Sequence, residues 1–208
     1  MSLTLYIHPD NPQARLIYQA VEIINRGGIV IYPTDSCYAI GCHIDNKAAR
    51  DRIRQIRALD DKHHFTLMRR DLSEISKYGI VDNINYRLLK TLTPGAYTFI
   101  LSATREVPRR LQNPKRKTIG LRIPSHNIAQ ALLEEMNAPL MSSTLIMPND
   151  DLPLNDPYLI QLALDKQVEL IIDGGFCGYE PTTIIDLMPD IPEIVRQGKG
   201  KVDWLMRH

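Results

Sequence analysis

The chain has 208 residues, of which 44% are hydrophobic and 24% are charged, values typical of a water-soluble globular protein. No stretch approaches the roughly 20 apolar residues that a membrane-spanning helix needs, and residues 1–10 lack the pattern of a secretion signal. A formal net charge of +1 excludes a uniformly cationic nucleic-acid-binding protein. We therefore expect one cytoplasmic domain over residues 1–208, no membrane association, and three reduced cysteines.

The predicted elements alternate between helices and strands along the whole chain. Asn11 and Pro12 are expected to cap and open the first helix, and Asn46 caps the second. Helices are predicted at residues 12–26, 46–57, 72–77, 84–91, 108–113, 128–136 and 158–166, and strands at residues 29–32, 65–68, 97–101, 118–123, 140–145, 168–173, 181–187 and 193–196. This interleaving favours a single α/β domain with a mixed sheet.

The segment Tyr32–Gly41 carries the clearest functional pattern. The apolar strand at 29–32 ends in the run Pro-Thr-Asp-Ser at 33–36, so small hydroxyl and acidic groups lie where a strand meets solvent. Ligands of open α/β sheets bind at such strand ends. A second strand end repeats the pattern with Pro-Thr-Thr at 181–183. Together these segments predict a pocket lined by hydroxyl groups.

Basic residues are concentrated in two segments of a nearly neutral chain. Residues 105–122 contain seven basic residues and one acid, and residues 50–70 contain seven basic residues and three acids, whereas residues 150–173 are comparatively acidic. The predicted RNA-binding residues have no acid near them in sequence: Arg109, Arg110, Lys115, Arg116 and Lys117. Few aromatic residues accompany them, which favours shape-based binding to double-stranded RNA or tRNA. The alternative is a solvated cationic rim without a ligand.

Five short motifs occur in a fixed order along nearly the whole chain. They are Pro33–Gly41 (similar to PTDTxYGLG), Pro94–Thr98 (PGPxT), Gly120–Pro124 (GxRxP), Pro181–Asp186 (PSTVVD) and Arg196–Gly198 (RxG). In this order they resemble the YrdC/YciO family of threonylcarbamoyl-AMP synthase-like proteins, and the run at 64–73 resembles the YciO branch. The resemblance implies a twisted mixed sheet flanked by helices, with a cationic pocket in its concavity.

The same resemblance implies a chemistry. The family's synthases join L-threonine, bicarbonate and ATP into threonylcarbamoyl-AMP, release pyrophosphate, and supply the threonylcarbamoyl group of a modified adenosine in tRNA. The ligands implied here are ATP, L-threonine and RNA, with Mg²⁺ carried by the triphosphate. Neither a metal site nor a tightly bound cofactor is expected.

Adenylate formation requires aligned reactants and compensation of phosphate charge rather than a protein nucleophile. Arginine suits this task because its planar fork binds phosphate or carboxylate oxygens in pairs. Thr34 and Arg57 are the catalytic candidates. The residues expected to contact substrate or nucleotide are Thr34, Tyr38, Arg57, Arg122, Ser142, Thr144, Thr183 and Arg196. The alternative roles are structural: strand-end capping by the threonines, core packing of the tyrosine, and solvation of surface arginines.

Two positions depart from the family pattern. The family's Lys-x-Arg pair matches Gln55-Ile56-Arg57, although a shifted alignment puts Arg54 or Lys62 at the cationic position. The family's Ser-x-Asn matches Thr144-Leu145-Ile146, so an amide is absent. Two hypotheses follow: a synthase-like enzyme with weak or divergent activity, or a non-catalytic RNA-binding protein that retains the pocket.

Three further residues near these motifs have structural expectations. Asp35 is expected to hold its loop by accepting hydrogen bonds from backbone N–H groups. His63 and His64 are adjacent, and side chains of adjacent strand residues point to opposite faces. They are therefore poor joint ligands for a metal ion.

Overall fold

Eleven strands form one mixed sheet in the computed structural model, which describes residues 1–60 and 63–203. They are Leu3–Tyr6 (β1), Val30–Tyr32 (β2), Ala39–His43 (β3), Thr66–Met68 (β4), Gly79–Ile80 (β5), Tyr97–Ala103 (β6), Thr118–Arg122 (β7), Leu140–Thr144 (β8), Leu170–Asp173 (β9), Thr183–Asp186 (β10) and Glu193–Arg196 (β11). The strand order is β1-β9-β2-β3-β8-β4-β7-β6-β10-β11, with β5 paired to β6. Four pairs are parallel (β1–β9, β2–β9, β4–β7 and β6–β10) and the others are antiparallel.

The helices of the described residues pack on the two faces of this sheet. They are Ala14–Asn25 (α1), Lys47–Ile56 (α2), Ile75–Tyr78 (α3), Asn83–Leu92 (α4), Asn127–Met136 (α5) and Pro157–Leu164 (α6), with 3₁₀ turns at Leu72–Glu74 and Arg109–Leu111. Buried residues of α1 and α5 form one apolar core, whereas those of α2, α3, α4 and α6 form the other. A mixed sheet flanked by helices confirms the predicted fold class. Over residues 1–60 and 63–203, every helix falls short of the length and hydrophobicity that crossing a membrane requires.

One part of the sheet is covered by helices on only one side. Because side chains alternate along a strand, Leu67, Leu121 and Phe99 enter the core beneath α2, α3 and α4. Their neighbours Thr66 and Thr98 project the other way and line a cavity. The central strands therefore present an uncovered polar surface on the side where α1 and α5 pack farther along the sheet.

The first helix begins at Ala14, so the predicted Asn11-Pro12 start is wrong by two residues. The side chain of His8 accepts hydrogen bonds from the N–H groups of Asp10 and Asn11, and Gln13 Oε1 accepts one from His8 N. These bonds form a local turn that competes with an earlier helix start. By contrast, the predicted cap at Asn46 is confirmed, because its side chain accepts a 2.9 Å bond from Ala49 N.

Three strands of the described sheet, β1, β3 and β5, were not predicted. The most consequential is β3, which overlaps the end of the segment Tyr32–Gly41 and pairs with β2 and β8. Gly41 lets the two backbones approach, since a Cβ there would lie 2.8 Å from Met141 O and from Ser142 Oγ. The predicted helix at 108–113 is a single 3₁₀ turn.

Candidate functional site

A cavity with about 620 Å³ of empty space opens on the uncovered face of the sheet. Side chains of β4, β6, β7, β8 and β10 form its floor, and the loop between β2 and β3 forms one wall. Of the predicted ligand-binding residues, five line it: Tyr38, Arg122, Ser142, Thr144 and Arg196. Three do not: Thr34, Arg57 and Thr183.

The β8 hydroxyls lie at the floor, as the sequence predicts. Ser142 Oγ lies 2.5 Å from the hydroxyl of Tyr32, and burial raises the pKa of Tyr32 to about 12, so this pair stays neutral. Thr144 is half-buried, and no side chain or backbone group of the described residues hydrogen-bonds its hydroxyl. That hydroxyl is therefore available to a ligand in the cavity.

Thr34 lies behind the wall of the cavity rather than on its surface. Only 4% of the residue is exposed, and its hydroxyl donates a 2.6 Å bond to Cys37 O. The same oxygen accepts bonds from Ser36 N and Cys37 N. The structural alternative therefore describes Thr34, because its hydroxyl is engaged in fixing the loop. Ser36, which is also buried, is the hydroxyl of this loop that lines the cavity.

The side chain of Thr183 also lies outside the cavity. Its hydroxyl donates to Gly200 O at 2.6 Å and accepts from Gly198 N at 3.0 Å, so it holds the turn after β11. Its neighbour Thr182 lines the cavity and lies 3.0 Å from the hydroxyl of Thr98. The prediction thus chose the wrong member of a Thr-Thr pair, because alternation along the strand sends the two side chains to opposite faces.

Tyr38 lines the cavity, but its ring belongs to the buried core beneath α2 and α6. Its hydroxyl donates to Gly175 O at 2.7 Å and accepts from Gly174 N at 3.2 Å, and burial raises its pKa. A fully buried ring whose hydroxyl is fixed by two hydrogen bonds is not free to stack on a ligand. Of the two predicted roles, core packing is the one observed.

Arg122 is the most deeply placed cation of the cavity, with 8% of its side chain exposed. Its Nη2 lies 2.6 Å from Asp35 Oδ1. The expectation that Asp35 binds backbone N–H groups is therefore wrong, because its carboxylate pairs with this guanidinium. Arg122 Nε is buried, and among the described residues it has no hydrogen-bond partner.

Arg57 caps the C-terminus of α2 and lies just behind the cavity wall. Its Nε donates to Ile146 O at 2.9 Å, and Nη1 donates to Ser143 Oγ, whose side chain does line the cavity. Burial lowers the pKa of this guanidinium to about 10. Arg57 therefore reaches the cavity through Ser143, which the sequence did not single out.

His63 and His64 both line the cavity, so the expectation of opposite faces is wrong. They precede β4 rather than belonging to it, and strand alternation does not apply to them. His63 Nε2 lies 2.9 Å from Ser143 Oγ. Burial, followed by the charges of Arg57 and Arg54, lowers the pKa of His63 to about 4, so the imidazole is neutral near pH 7.

Only the Arg57 end of this small network has a fixed hydrogen-bond direction. Arg57 can only donate, so Ser143 Oγ accepts from it through one of its two lone pairs. The hydroxyl can either donate its proton to His63 Nε2 or accept from Nε2–H with its second lone pair, so both neutral tautomers of His63 satisfy this contact.

Arg196 lines the opposite side of the cavity. Its Nε and Nη2 donate to Thr182 O at 3.2 and 2.9 Å, and partial burial lowers its pKa. Lys199 donates to Asp35 O nearby and was not predicted. Ser36, Thr98 and Thr182 were also missed, although they lie within the motifs themselves. Strand alternation could have selected Thr98 on β6 and Thr182 next to β10, whereas Ser36 lies in the loop between β2 and β3, where alternation does not apply.

A second cavity of about 840 Å³ adjoins the first and shares His64, Thr66, Thr98 and Ile184 with it. Apolar side chains such as Leu111 and Ile119 dominate its lining. The combined groove therefore offers a polar, cationic end and an apolar end. Within residues 1–60 and 63–203, no three His, Cys, Asp or Glu side chains are grouped to hold a metal ion.

The predicted RNA-binding residues are all exposed, but they face different neighbours. Arg110 donates to Ile44 O at 3.1 Å, beside α2. Arg116 forms a 2.7 Å ion pair with Asp186 of β10, so the prediction that no acid neutralises this cluster is wrong for that residue. Asp186 is distant in sequence and therefore invisible to a local charge count. Lys62, the alternative family cation, lies outside the described residues.

Comparison with known proteins shows what this chain is similar to. A sequence model of the Sua5, YciO and YrdC family, described as "Telomere recombination", matches residues 22–198. The uncharacterised protein YciO of Escherichia coli K12 is 58% identical over 202 residues, which are 97% of this chain and 98% of that one. The crystal structure of E. coli YciO matches with a TM-score of 0.94 over the same shares of the two chains.

More distant matches have assigned activities. The threonylcarbamoyl-AMP synthase of Coxiella burnetii RSA 493 is 25% identical over 174 residues, 82% of this chain and 91% of that one. The crystal structure of P. abyssi Sua5 complexed with L-threonine matches with a TM-score of 0.87 at 22% identity. It covers 95% of this chain but only 58% of the Sua5 chain, so this likeness concerns the shared fold.

Proposed function

Because the chain belongs to the Sua5/YciO/YrdC family, we propose that its cavity binds ATP and L-threonine and forms threonylcarbamoyl-AMP from them and bicarbonate. The product then serves the threonylcarbamoyl modification of tRNA. Likeness to the Coxiella synthase and to the Sua5 fold that binds L-threonine supports this proposal.

The observation that carries the proposal is the buried guanidinium of Arg122. Arg122 lines the cavity; its Nη2 is paired with Asp35, and its Nε is buried without a partner among the described residues. An unsatisfied buried donor costs roughly 1–3 kcal/mol. A carboxylate or phosphate oxygen entering the cavity would remove that cost, so the site is prepared for an anion.

In the proposed reaction the threonine amine adds to carbon dioxide to form a carbamate. A carbamate oxygen then attacks the α-phosphorus of ATP, the bond to the β-phosphate breaks, and pyrophosphate leaves with Mg²⁺. Arg122 and Arg196 are the cations available to compensate the charge on phosphate oxygens and on the threonine carboxylate. The hydroxyls of Thr98, Thr144 and Thr182 are available to orient the amino acid.

Few positively charged side chains reach this cavity. Arg57 is bonded to Ser143 and Ile146 behind the wall, and Gln55 lies exposed on α2, beside Arg52 and Lys166 rather than in the cavity. Ile146 offers no donor from its side chain. Since the triphosphate would meet few charges, we expect slow turnover compared with synthases that have the Lys-x-Arg pair and the asparagine.

The test is an assay with ATP, labelled L-threonine and bicarbonate, read as pyrophosphate release and as labelled adenylate. Arg122→Gln is expected to lower both signals and L-threonine affinity about ten-fold or more. Arg69→Gln is a matched control, because Arg69 is equally buried and pairs with Glu74 at 2.5 Å, but lies outside the cavity. The control should lose stability without losing affinity for the ligands; equal affinity losses in both variants would contradict the assignment.

A second function, non-catalytic binding of double-stranded RNA or tRNA, is supported by one observation: all five residues of the predicted cationic cluster are exposed. Phosphate contacts by such residues would make binding strongly salt-dependent. Absence of adenylate at high protein concentration, with salt-sensitive RNA binding retained, would favour this function over the first.

A further inference from the structure

A patch of exposed apolar side chains lies on α6 and on the loop that follows β9. Tyr158 and Leu162 are one helical turn apart on α6 and are 66% and 64% exposed. The loop after β9 adds Phe176, 77% exposed, and Tyr179. Two hydrogen bonds between Asn155 and Cys177 hold this loop beside the start of α6. Large solvent-exposed apolar groups concentrated in this way mark interaction sites.

The segment that carries this patch is acidic in sequence. Residues 145–180 contain seven acidic residues and one basic residue, Lys166, although Glu169 is paired with Arg52. Asp150 and Asp151 lie exposed in the loop that leads into α6, and Glu180 follows Tyr179. Within the described part of the chain, none of these three carboxylates forms an ion pair. We call the exposed side chains of α6 and the 176–179 loop, with these carboxylates, the acidic-apolar face.

We propose that the acidic-apolar face is a docking surface for a basic, amphipathic segment of a partner protein. Carboxylates that surround aromatic and leucine anchors complement lysine or arginine placed around apolar side chains. RNA is excluded as the occupant, because its phosphates would meet unpaired carboxylates. Tyrosine and phenylalanine anchors at the centre of an interface supply much of its binding energy.

The location of the face connects it to the cavity. A Cβ at Gly178 would lie 2.9 Å from Ser36 O, and Cys177 Sγ lies 3.7 Å from Thr34 O. The 176–179 loop therefore packs on the loop whose Ser36 and Cys37 line the cavity. A partner bound to this face contacts the backbone that supports the cavity wall, without needing to enter the cavity.

The probe for the test is a synthetic 20-residue helical peptide with leucine and tryptophan along one face and lysine elsewhere. A matched peptide carries glutamate at every lysine position. Calorimetric titration of the full chain should show binding of the lysine peptide that weakens with added salt, and at least ten-fold weaker binding of the glutamate peptide. Absence of lysine-peptide binding, or equal binding of the two peptides, overturns the proposal.

Two double variants locate the binding. Tyr158→Ser with Leu162→Ser should weaken binding of the lysine peptide about ten-fold, because it removes the apolar anchors. Ile80→Ser with Ile84→Ser is the control, since these residues are equally exposed but lie elsewhere, on β5 and α4. Equal loss in both double variants overturns the assignment. Self-association in sedimentation equilibrium that disappears in the Tyr158/Leu162 variant also overturns it, because the occupant is then a second copy of this chain.

Discussion

Arg122 and Asp35 illustrate how one residue pair serves both stability and the candidate site. Their ion pair is nearly buried, so removal of either partner leaves a poorly solvated charge. The Nε of the same guanidinium is buried and has no hydrogen-bond partner among the described residues. A single arginine therefore anchors the loop between β2 and β3 and also lines the cavity.

His63 predicts a pH dependence of stability. Its pKa in the folded protein is about 4, below the value near 6.5 of an unfolded histidine. The unfolded chain therefore binds the proton first as the pH falls, and stability decreases between about pH 6.5 and pH 4. We expect His63→Gln to abolish about 2 kcal/mol of this decrease. Urea unfolding of both proteins at pH 7 and pH 4.5 measures it.

The comparison between the two proteins isolates His63, because His126, whose pKa burial also lowers, is present in both. Identical losses of unfolding free energy in the parent and the variant would show that His63 does not carry the effect.

At the scale of elements, Arg57 connects the C-terminus of α2 to β8 and to the residues that follow it. It does so through Ile146 O and Ser143 Oγ. Since a charged donor is lost while partners remain half-buried, Arg57→Ala is expected to lower the free energy of unfolding by about 1–3 kcal/mol. Arg26→Ala is the control, because Arg26 is 80% exposed and pairs only with Glu22 on the same helix. Thermal melts should show a shift for the first and almost none for the second.

The turn after β11 depends on one hydroxyl of β10. Thr183→Val keeps the shape of the side chain but removes its bonds to Gly198 N and Gly200 O, so a loss of about 1–2 kcal/mol is expected. Thr182→Val, one residue earlier, should instead weaken L-threonine binding and affect stability less. Denaturant unfolding and calorimetry on both variants separate the two roles; the reverse pattern would return Thr183 to the ligand site.

At the scale of the whole molecule, charge is distributed unevenly. The exposed cluster at residues 109–117 is basic, and its Arg116 pairs with Asp186, whereas the acidic-apolar face carries the exposed carboxylates Asp150, Asp151 and Glu180. RNA is therefore expected to meet the first face, and a basic protein segment the second.

The double variant Lys115→Ala with Lys117→Ala tests whether the cationic cluster binds RNA. Both lysines are exposed, whereas Arg116 between them is paired with Asp186. The variant should bind double-stranded RNA more weakly, and the slope of log affinity against log salt should fall by about two. Arg15→Ala with Arg26→Ala, two exposed arginines elsewhere, should leave the slope unchanged. Equal slopes in the parent and the lysine variant would contradict the assignment.

Much of this protein was determined by sequence alone, for local reasons. Apolar periodicity and caps such as Asn46 identified most elements, and five ordered motifs identified the family and hence the fold. Of the residues assigned to one pocket, Tyr38, Arg122 and Arg196 line a common cavity, because motif residues at strand ends gather at one edge of a sheet.

Tertiary structure decided which side chain of each motif faces the cavity. Thr182 rather than Thr183, and Ser36 rather than Thr34, line it, because strand pairing and loop hydrogen bonds fix which way adjacent side chains point. It also paired Arg116 with Asp186, 70 residues away, and placed Arg57 behind Ser143. Such contacts join segments that are distant along the chain, so no local pattern of residues encodes them.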